Sequence, residues 1–133
     1  AVVNIMGSAI LPRKYNAAVI DAWKARCVRI TTRDIPVSTE RRTYIVPYTF
    51  VTDRLQYHVL EDIGAVHAPL LLIAGELDDI VPAEELSAIY EHANQPKKLI
   101  TISGIGHDYR HHANEIAIVN TTITDALSQL LHE

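Results

Sequence analysis

The sequence is poor in the residues that staple or anchor a chain. Among its 133 residues there is one cysteine, Cys27. That excludes an internal disulfide framework and a multi-cysteine zinc site, and makes a reducing, cytoplasmic setting the default expectation. No apolar run approaches the ~20 residues that span a bilayer, and the first residues do not form a charged segment followed by an apolar one. Positive charge is not in excess. A net charge of −4 and a pI near 6.0 argue against a general nucleic-acid binder. Internal repeats, linkers and low-complexity tracts are also missing. What is present suits one ordinary domain with a real core: 48% hydrophobic residues, 21% charged residues and a mean hydropathy of +0.07, values that rule out wholesale disorder.

The charge is unevenly spread. Residues 1–42 carry eight Lys/Arg against three Asp/Glu, and residues 43–133 carry four against thirteen. The basic excess concentrates in Lys24, Arg26, Arg29, Arg33, Arg41 and Arg42. A solvated helix end and hairpin account for it most simply. Attraction of an acidic substrate, or docking on an acidic neighbour, are the sharper alternatives.

Residues 1–7 (AVVNIMG) are apolar and β-prone, as in a strand buried on both faces of a parallel sheet. The chain starts inside this strand without Met, so it is expected to be the later part of a longer chain or to have lost its start. Pro12 and the spacing of Ala18, Val19, Ala22 and Trp23 predict a helix over about 12–27. Val28–Thr32 and Thr43–Phe50 predict a hairpin, with Pro36, Ser38 and Thr39 between them and Pro47 at an edge position. Thr52-Asp53 is a plausible cap for a helix over about 53–63. Pro69–Ala74 is a continuous apolar run ended by Gly75, a buried strand. Leu86, Ile89, Tyr90 and Ala93 follow helical spacing behind Pro82, with Glu84 and Glu85 in the first turn where the helix dipole favours acids. Lys98–Ser103 predicts a third strand. A last helix is expected over about 113–131, with Ile116, Val119, Ile123, Leu127 and Leu130 on its core face.

The fold class is therefore α/β: three main strands in a parallel sheet, flanked by helices, plus a hairpin-bearing excursion. Nothing in strand 1–7 blunts an exposed edge, so it is expected to have another strand beside it. In parallel α/β sheets, functional residues lie in loops beyond the carboxyl ends of the strands. Two such loops stand out, GELDDIVP at 75–82 and SGIGHD at 103–108. An acid after one strand and a histidine after the next can meet above the sheet. The acid fixes the imidazole tautomer, and the other ring nitrogen is free to act as a base.

These pieces resemble the C-terminal half of an α/β-hydrolase: PLLLIAGELDDIVP in the family's G-x-x-D-x-x-V-P form, and SGIGHD downstream. The resemblance covers about 65–131 well and 1–10 loosely. Residues 8–65 stand where the family commonly inserts a cap or lid. The resemblance implies that the whole chain, 1–133, is the C-terminal part of one hydrolase-like domain whose N-terminal half lies elsewhere. It implies Asp78 as the triad acid and His107 as the triad base. Asp79 is the competing acid, but Asp78 holds the motif position three residues after Gly75, and Asp79 better suits capping the next helix or bracing the loop. Taken singly, Asp78 would be a turn or capping acid and His107 a polar loop residue. At this joint spacing they are expected within about 2.6–3.2 Å of each other.

One family element is missing. The nucleophile of these enzymes sits in a G-x-S-x-G elbow, and none of Ser8, Ser38, Ser87, Ser103 or Ser128 has such surroundings. Ser8 follows a strand end with the wrong flanks. Cys27 lies at a helix end and is expected to be packed and inert. His107–His112 (HDYRHH) superficially resembles an HExxH zinc helix, but Asp stands for Glu, and Gly104 and Gly106 place His107 in a loop. No metal and no cofactor are expected. Two functions from different classes remain. One is a serine esterase acting on a small ester-like substrate, completed by an N-terminal half that brings the nucleophile. The other is a non-catalytic hydrolase-like binding or scaffold domain. Tyr44, Tyr48, Phe50 and Tyr57 are candidate pocket walls, with hairpin packing as the plainer alternative.

Overall fold

The computed structural model describes residues 1–9, 15–35 and 39–132. The expected helix start at Pro12, and Pro36 and Ser38 of the hairpin connection, lie outside the described residues. The remaining residues group into two compact units, Ala1–Ala9 with His58–Glu133, and Ile10–Tyr57.

The first unit is built on a parallel sheet in the order β1 (Val2–Ile5), β4 (Leu70–Gly75), β5 (Lys97–Ile102). β4 is buried along its whole length, because every one of its side chains meets a helix on one face or the other. Leu71 and Ile73 face a cluster with Val119, Ala126 and Leu130 of α5 (Ala113–Leu130). Leu70, Leu72 and Ala74 face Leu86, Ile89 and Ala93, carried by or just beyond α4 (Ala83–His92). The period of two along β4 thus distributes one apolar run between two helical layers, which is why that run does not alternate with polar residues.

β1 departs from expectation. It spans four residues and forms a sheet edge among the described residues, with Val2 and Ile5 exposed. It stops because Met6 turns into the left-handed region (φ 51°) and the Asn4 side chain folds back to accept the Gly7 N–H at 2.8 Å. The Val2 and Met6 N–H groups donate to Pro69 and Ile73 of the β4 side. By the alternation of a parallel ladder, the N–H groups of Val3 and Ile5 point the other way.

A single helix over 53–63 does not form. Instead α2 (Thr49–Arg54) and α3 (Val59–Asp62) are separated, and a 3-10 turn follows at Ile63–Ala65. Asp53 lies inside α2 rather than capping it. The second start is made by Asp62, whose carboxylate accepts the His58 N–H at 3.2 Å. Val59, Leu60 and Ile63 pack against the α4 cluster. That packing draws 58–65 into the sheet unit and leaves a smaller second unit than the expected 8–65 excursion.

In the second unit, α1 (Ala17–Arg26) starts at Asn16, whose side chain accepts the Val19 N–H. It is shorter than the expected helix. α1 leads into the antiparallel ribbon β2 (Val28–Asp34) and β3 (Arg41–Pro47). Trp23 is its centre. Its ring stacks on Phe50 and meets Tyr15 edge-on, and its indole N–H donates to the Val46 carbonyl at 2.9 Å. Cys27 ends α1 in the left-handed region and is exposed, so the expectation of a packed thiol is corrected. Its backbone has to leave the helix for β2, and that turn carries the side chain outward.

The placement of β4 gives a stability prediction. Leu71→Ala and Leu72→Ala should each lower unfolding free energy by about 2–5 kcal/mol in denaturant titrations. Thr121→Ala, on the exposed face of α5, should change it by less than ~0.5 kcal/mol.

Candidate active site

β4 and β5 end side by side, with Gly75 opposite Ile102. Each then releases a loop, and the two loops are fastened together backbone to backbone. Glu76 N–H donates to Ile102 and Leu77 N–H to Ile105, at 3.0 and 2.9 Å. Gly75 makes this possible. A Cβ there would stand 2.5 Å from the Ile105 carbonyl oxygen and 2.9 Å from the Met6 Cε, so any larger residue would drive the loops apart. Gly104, at φ +72°, turns the histidine loop where L-residues are strained. Ile105 then plugs the loop into the core beside Met6 and Leu71.

On this frame Asp78 and His107 meet. Asp78 Oδ2 lies 2.9 Å from His107 Nδ1. Asp78 Oδ1 accepts the N–H groups of Ile80 and Val81, at 2.9 and 2.8 Å. The Asp78 side chain is fully buried, whereas that of His107 is 28% exposed. Asp78 therefore does both things weighed for it: it closes its own turn with one oxygen and holds the imidazole with the other. Three donors around one buried carboxylate compensate its removal from water. Because the carboxylate accepts, Nδ1 carries the proton, and Nε2 presents a lone pair. That nitrogen makes no hydrogen bond among the described residues. The arrangement can take a proton at Nε2 and stabilise the resulting cation.

Asp79 is exposed and is not the residue that meets His107. Nor does it cap α4, since the residue at that cap is Pro82 and no side chain bonds there. Residues 107–112 run through a loop and the 3-10 turn Tyr109–His111, so the helical face of an HExxH site is not formed. Among the described residues no group of three or more potential ligands could hold a metal ion. Ser8 donates its hydroxyl to Glu85 Oε2 at 2.7 Å. Of the four candidate pocket walls, Phe50 stacks on Trp23, and Tyr44 and Tyr57 are exposed on the second unit.

Two residues at this end of the sheet carry bonds that the sequence reading did not assign to them. Glu85, taken with Glu84 as a residue of the helix dipole, turns inward and is buried, accepting from Ser8 Oγ and the Ala9 N–H. Its place directly before the core residue Leu86 was the signal. Glu76 accepts from Ser103 Oγ at 2.6 Å and the Gly104 N–H at 2.9 Å. These bonds, Ser103 first, hold its carboxyl below the ordinary value of 4.5, against a smaller opposing effect of desolvation. Its signal was an acid facing Ser-Gly at the matching point of the next loop.

No family model matches the sequence. Two uncharacterised proteins of Mycobacterium tuberculosis, from strains CDC 1551 / Oshkosh and ATCC 25618 / H37Rv, are 44% identical over 52 residues, 39% of this chain and 18% of each relative. Among solved structures, the esterase domain of a Rhodothermus marinus protein superposes with a TM-score of 0.60 at 16% identity, covering 91% of this chain and 48% of that one. Est1E of Butyrivibrio proteoclasticus, solved with ferulic acid, gives 0.56 at 22% over 77% of this chain and 37% of its own. The alpha/beta hydrolase GrgF of Penicillium sp. sh18 gives 0.53 at 24% over 67% and 31%. The chain has an α/β-hydrolase-like fold, and it spans less than half the length of each of these structures.

The lowered carboxyl of Glu76 sets a pH dependence. Its folded-state affinity for protons is weaker than in the unfolded chain, so its contribution to stability is complete above the ordinary value of 4.5 and is lost as pH falls through the lower folded value. In denaturation midpoints followed downward from about pH 6, Glu76→Gln should show a shallower decline below about pH 4.5 than the parent.

Proposed function

We propose that this chain supplies the acid and base of a serine hydrolase acting on carboxylic esters, with the nucleophile on another part of the same protein. The observation that carries this is the Asp78–His107 hydrogen bond, with the acid fully buried and the base partly open. A scaffold could use the Asp78 turn alone, but it has no need for the acid and the histidine held together. The fold shared with an esterase domain and an alpha/beta hydrolase is consistent with this reading, though fold alone does not assign chemistry.

The reaction is acyl transfer. A serine hydroxyl attacks the ester carbonyl as His107 Nε2 takes its proton. Asp78 holds the imidazole and stabilises the cation that forms. The tetrahedral intermediate collapses, and Nε2 returns the proton to the departing alcohol. Water then attacks the acyl-serine with the same histidine as base, releasing the acid and the free serine. The serine and its oxyanion donors come from the half of the sheet that precedes β1. That half provides the neighbour for the open side of β1, and the substrate is a small molecule with an ester-like carbonyl. With a single cysteine in the chain, the setting we assign is the cytoplasm.

The test uses the full-length protein, a chromogenic short-chain ester and a serine-reactive phosphonate. His107→Ala should abolish turnover. Asp78→Asn should depress it by about 10⁴, through the wrong tautomer, and Asp79→Asn should leave it within a few-fold of the parent. The 133-residue chain alone should not hydrolyse the ester above background. Turnover indifferent to His107→Ala would leave the scaffold reading in possession.

A second measurement addresses β1. In the full-length protein the amides of Val3 and Ile5, which point away from β4, should exchange slowly with solvent deuterium. Rapid exchange at those two positions alone would show that no strand lies beside them.

A further inference from the structure

We infer that Glu76 is a positioning residue, a clasp that holds the histidine-bearing loop against the acid-bearing loop so that His107 stays on Asp78. The inference rests on the hydrolase reading above and adds a residue to it.

The two loops meet along a short seam. The buried Ile105 side chain and the Leu77–Ile105 backbone bond secure the middle of the histidine loop. The start of that loop is more exposed to slippage. Ser103 and Gly104 are exposed, and Gly104 is in the left-handed conformation that glycine visits freely. At that weak point one carboxylate oxygen, Glu76 Oε2, accepts from both Ser103 Oγ and Gly104 N–H. Glu76 stands two residues before Asp78, and Ser103 stands four residues before His107. The clasp thus joins the stems of the two catalytic side chains at a second point, apart from the Asp78–His107 bond. With both ends tied, the imidazole has little room to swing away from the acid.

The location of Glu76 separates positioning from bulk stability. The residue is exposed, and exposed charged contacts contribute little to folding. Positioning is far more sensitive, because a misplacement of about 1 Å in a reacting group can cost ~100-fold in rate. Loss of the clasp should therefore appear in kcat while the fold and substrate binding persist.

The experiment measures kcat and KM of the full-length protein on a short-chain ester, with thermal melting as a check on folding. Glu76→Ala should lower kcat about tenfold and leave KM within about twofold. Glu76→Gln keeps an acceptor oxygen at the same reach and should recover most of the loss. Ser103→Ala should lower kcat by a smaller factor. It should add little in the Glu76→Ala background, because both changes cut one link. Should Glu76→Ala fail to fold, Glu76→Gln and Ser103→Ala decide by the same criteria. Parent-like kcat in Glu76→Ala, a change confined to KM, or full multiplication of the two effects would overturn the clasp. His107→Ala measured alongside keeps the two ideas apart. If it is inactive and Glu76→Ala is parent-like, the clasp alone fails. If it stays active, the hydrolase reading itself fails.

Discussion

Everything at the carboxyl end of the sheet depends on how closely two loops pass each other at Gly75. The absence of a side chain there lets the Ile105 carbonyl cross the end of β4 at a distance where a Cβ would meet it at 2.5 Å. That crossing sets the backbone bond from Leu77 to Ile105, seats Ile105 in the core, and brings His107 onto Asp78. Asp78 can then remain buried, because each of its oxygens is satisfied: one by its own turn, one by the imidazole. The geometry of a candidate catalytic pair is thus a consequence of packing at a glycine, transmitted through a few short hydrogen bonds.

The same end of the sheet shows how acids of similar sequence context are sorted by environment. Asp78 and Asp79 are neighbours, yet one is buried against a histidine and the other exposed. Glu84 and Glu85 are likewise adjacent, and only Glu85 turns inward, to bind the chain leaving β1. Glu76 lies at the surface but is bound by two donors of the next loop. The basic residues of the second unit are spent differently. Arg29 lies over the Tyr15 ring and Arg54 over Phe50, while Arg41 pairs with Asp34 at an exposed site, an interaction of small energetic worth. Ring contacts and a solvated ion pair within the chain account for these three without an acidic substrate or neighbouring protein.

The parts of the fold legible in the sequence are those where burial is lopsided. β4 reads directly from PLLLIAG because it is apolar on both faces, and α4 and α5 read from a clear apolar stripe. Asp78 and His107 were legible because a strand end fixes where a loop begins, so spacing from Gly75 and from β5 carries geometric meaning. The failures lie where local competition decides. Residues 53–63 carry no propensity strong enough to hold one helix, and the Asp62 cap on His58 starts a second. β1 looked buried on both faces, but Met6 and Asn4 end it early. Glu76 and Glu85 were missed because their partners lie 27 and 77 residues away in the chain, and no single-sequence periodicity encodes a polar contact at that separation.

The central claim is that Asp78 fixes His107 in the tautomer that leaves Nε2 free to act as a base. Nitrogen-15 NMR of the His107 ring in the full-length protein at neutral pH tests it most directly. The account predicts a proton on Nδ1 and a bare Nε2, with that preference lost in Asp78→Asn. A proton residing on Nε2 in the parent protein, or a tautomer ratio unchanged by Asp78→Asn, would contradict it.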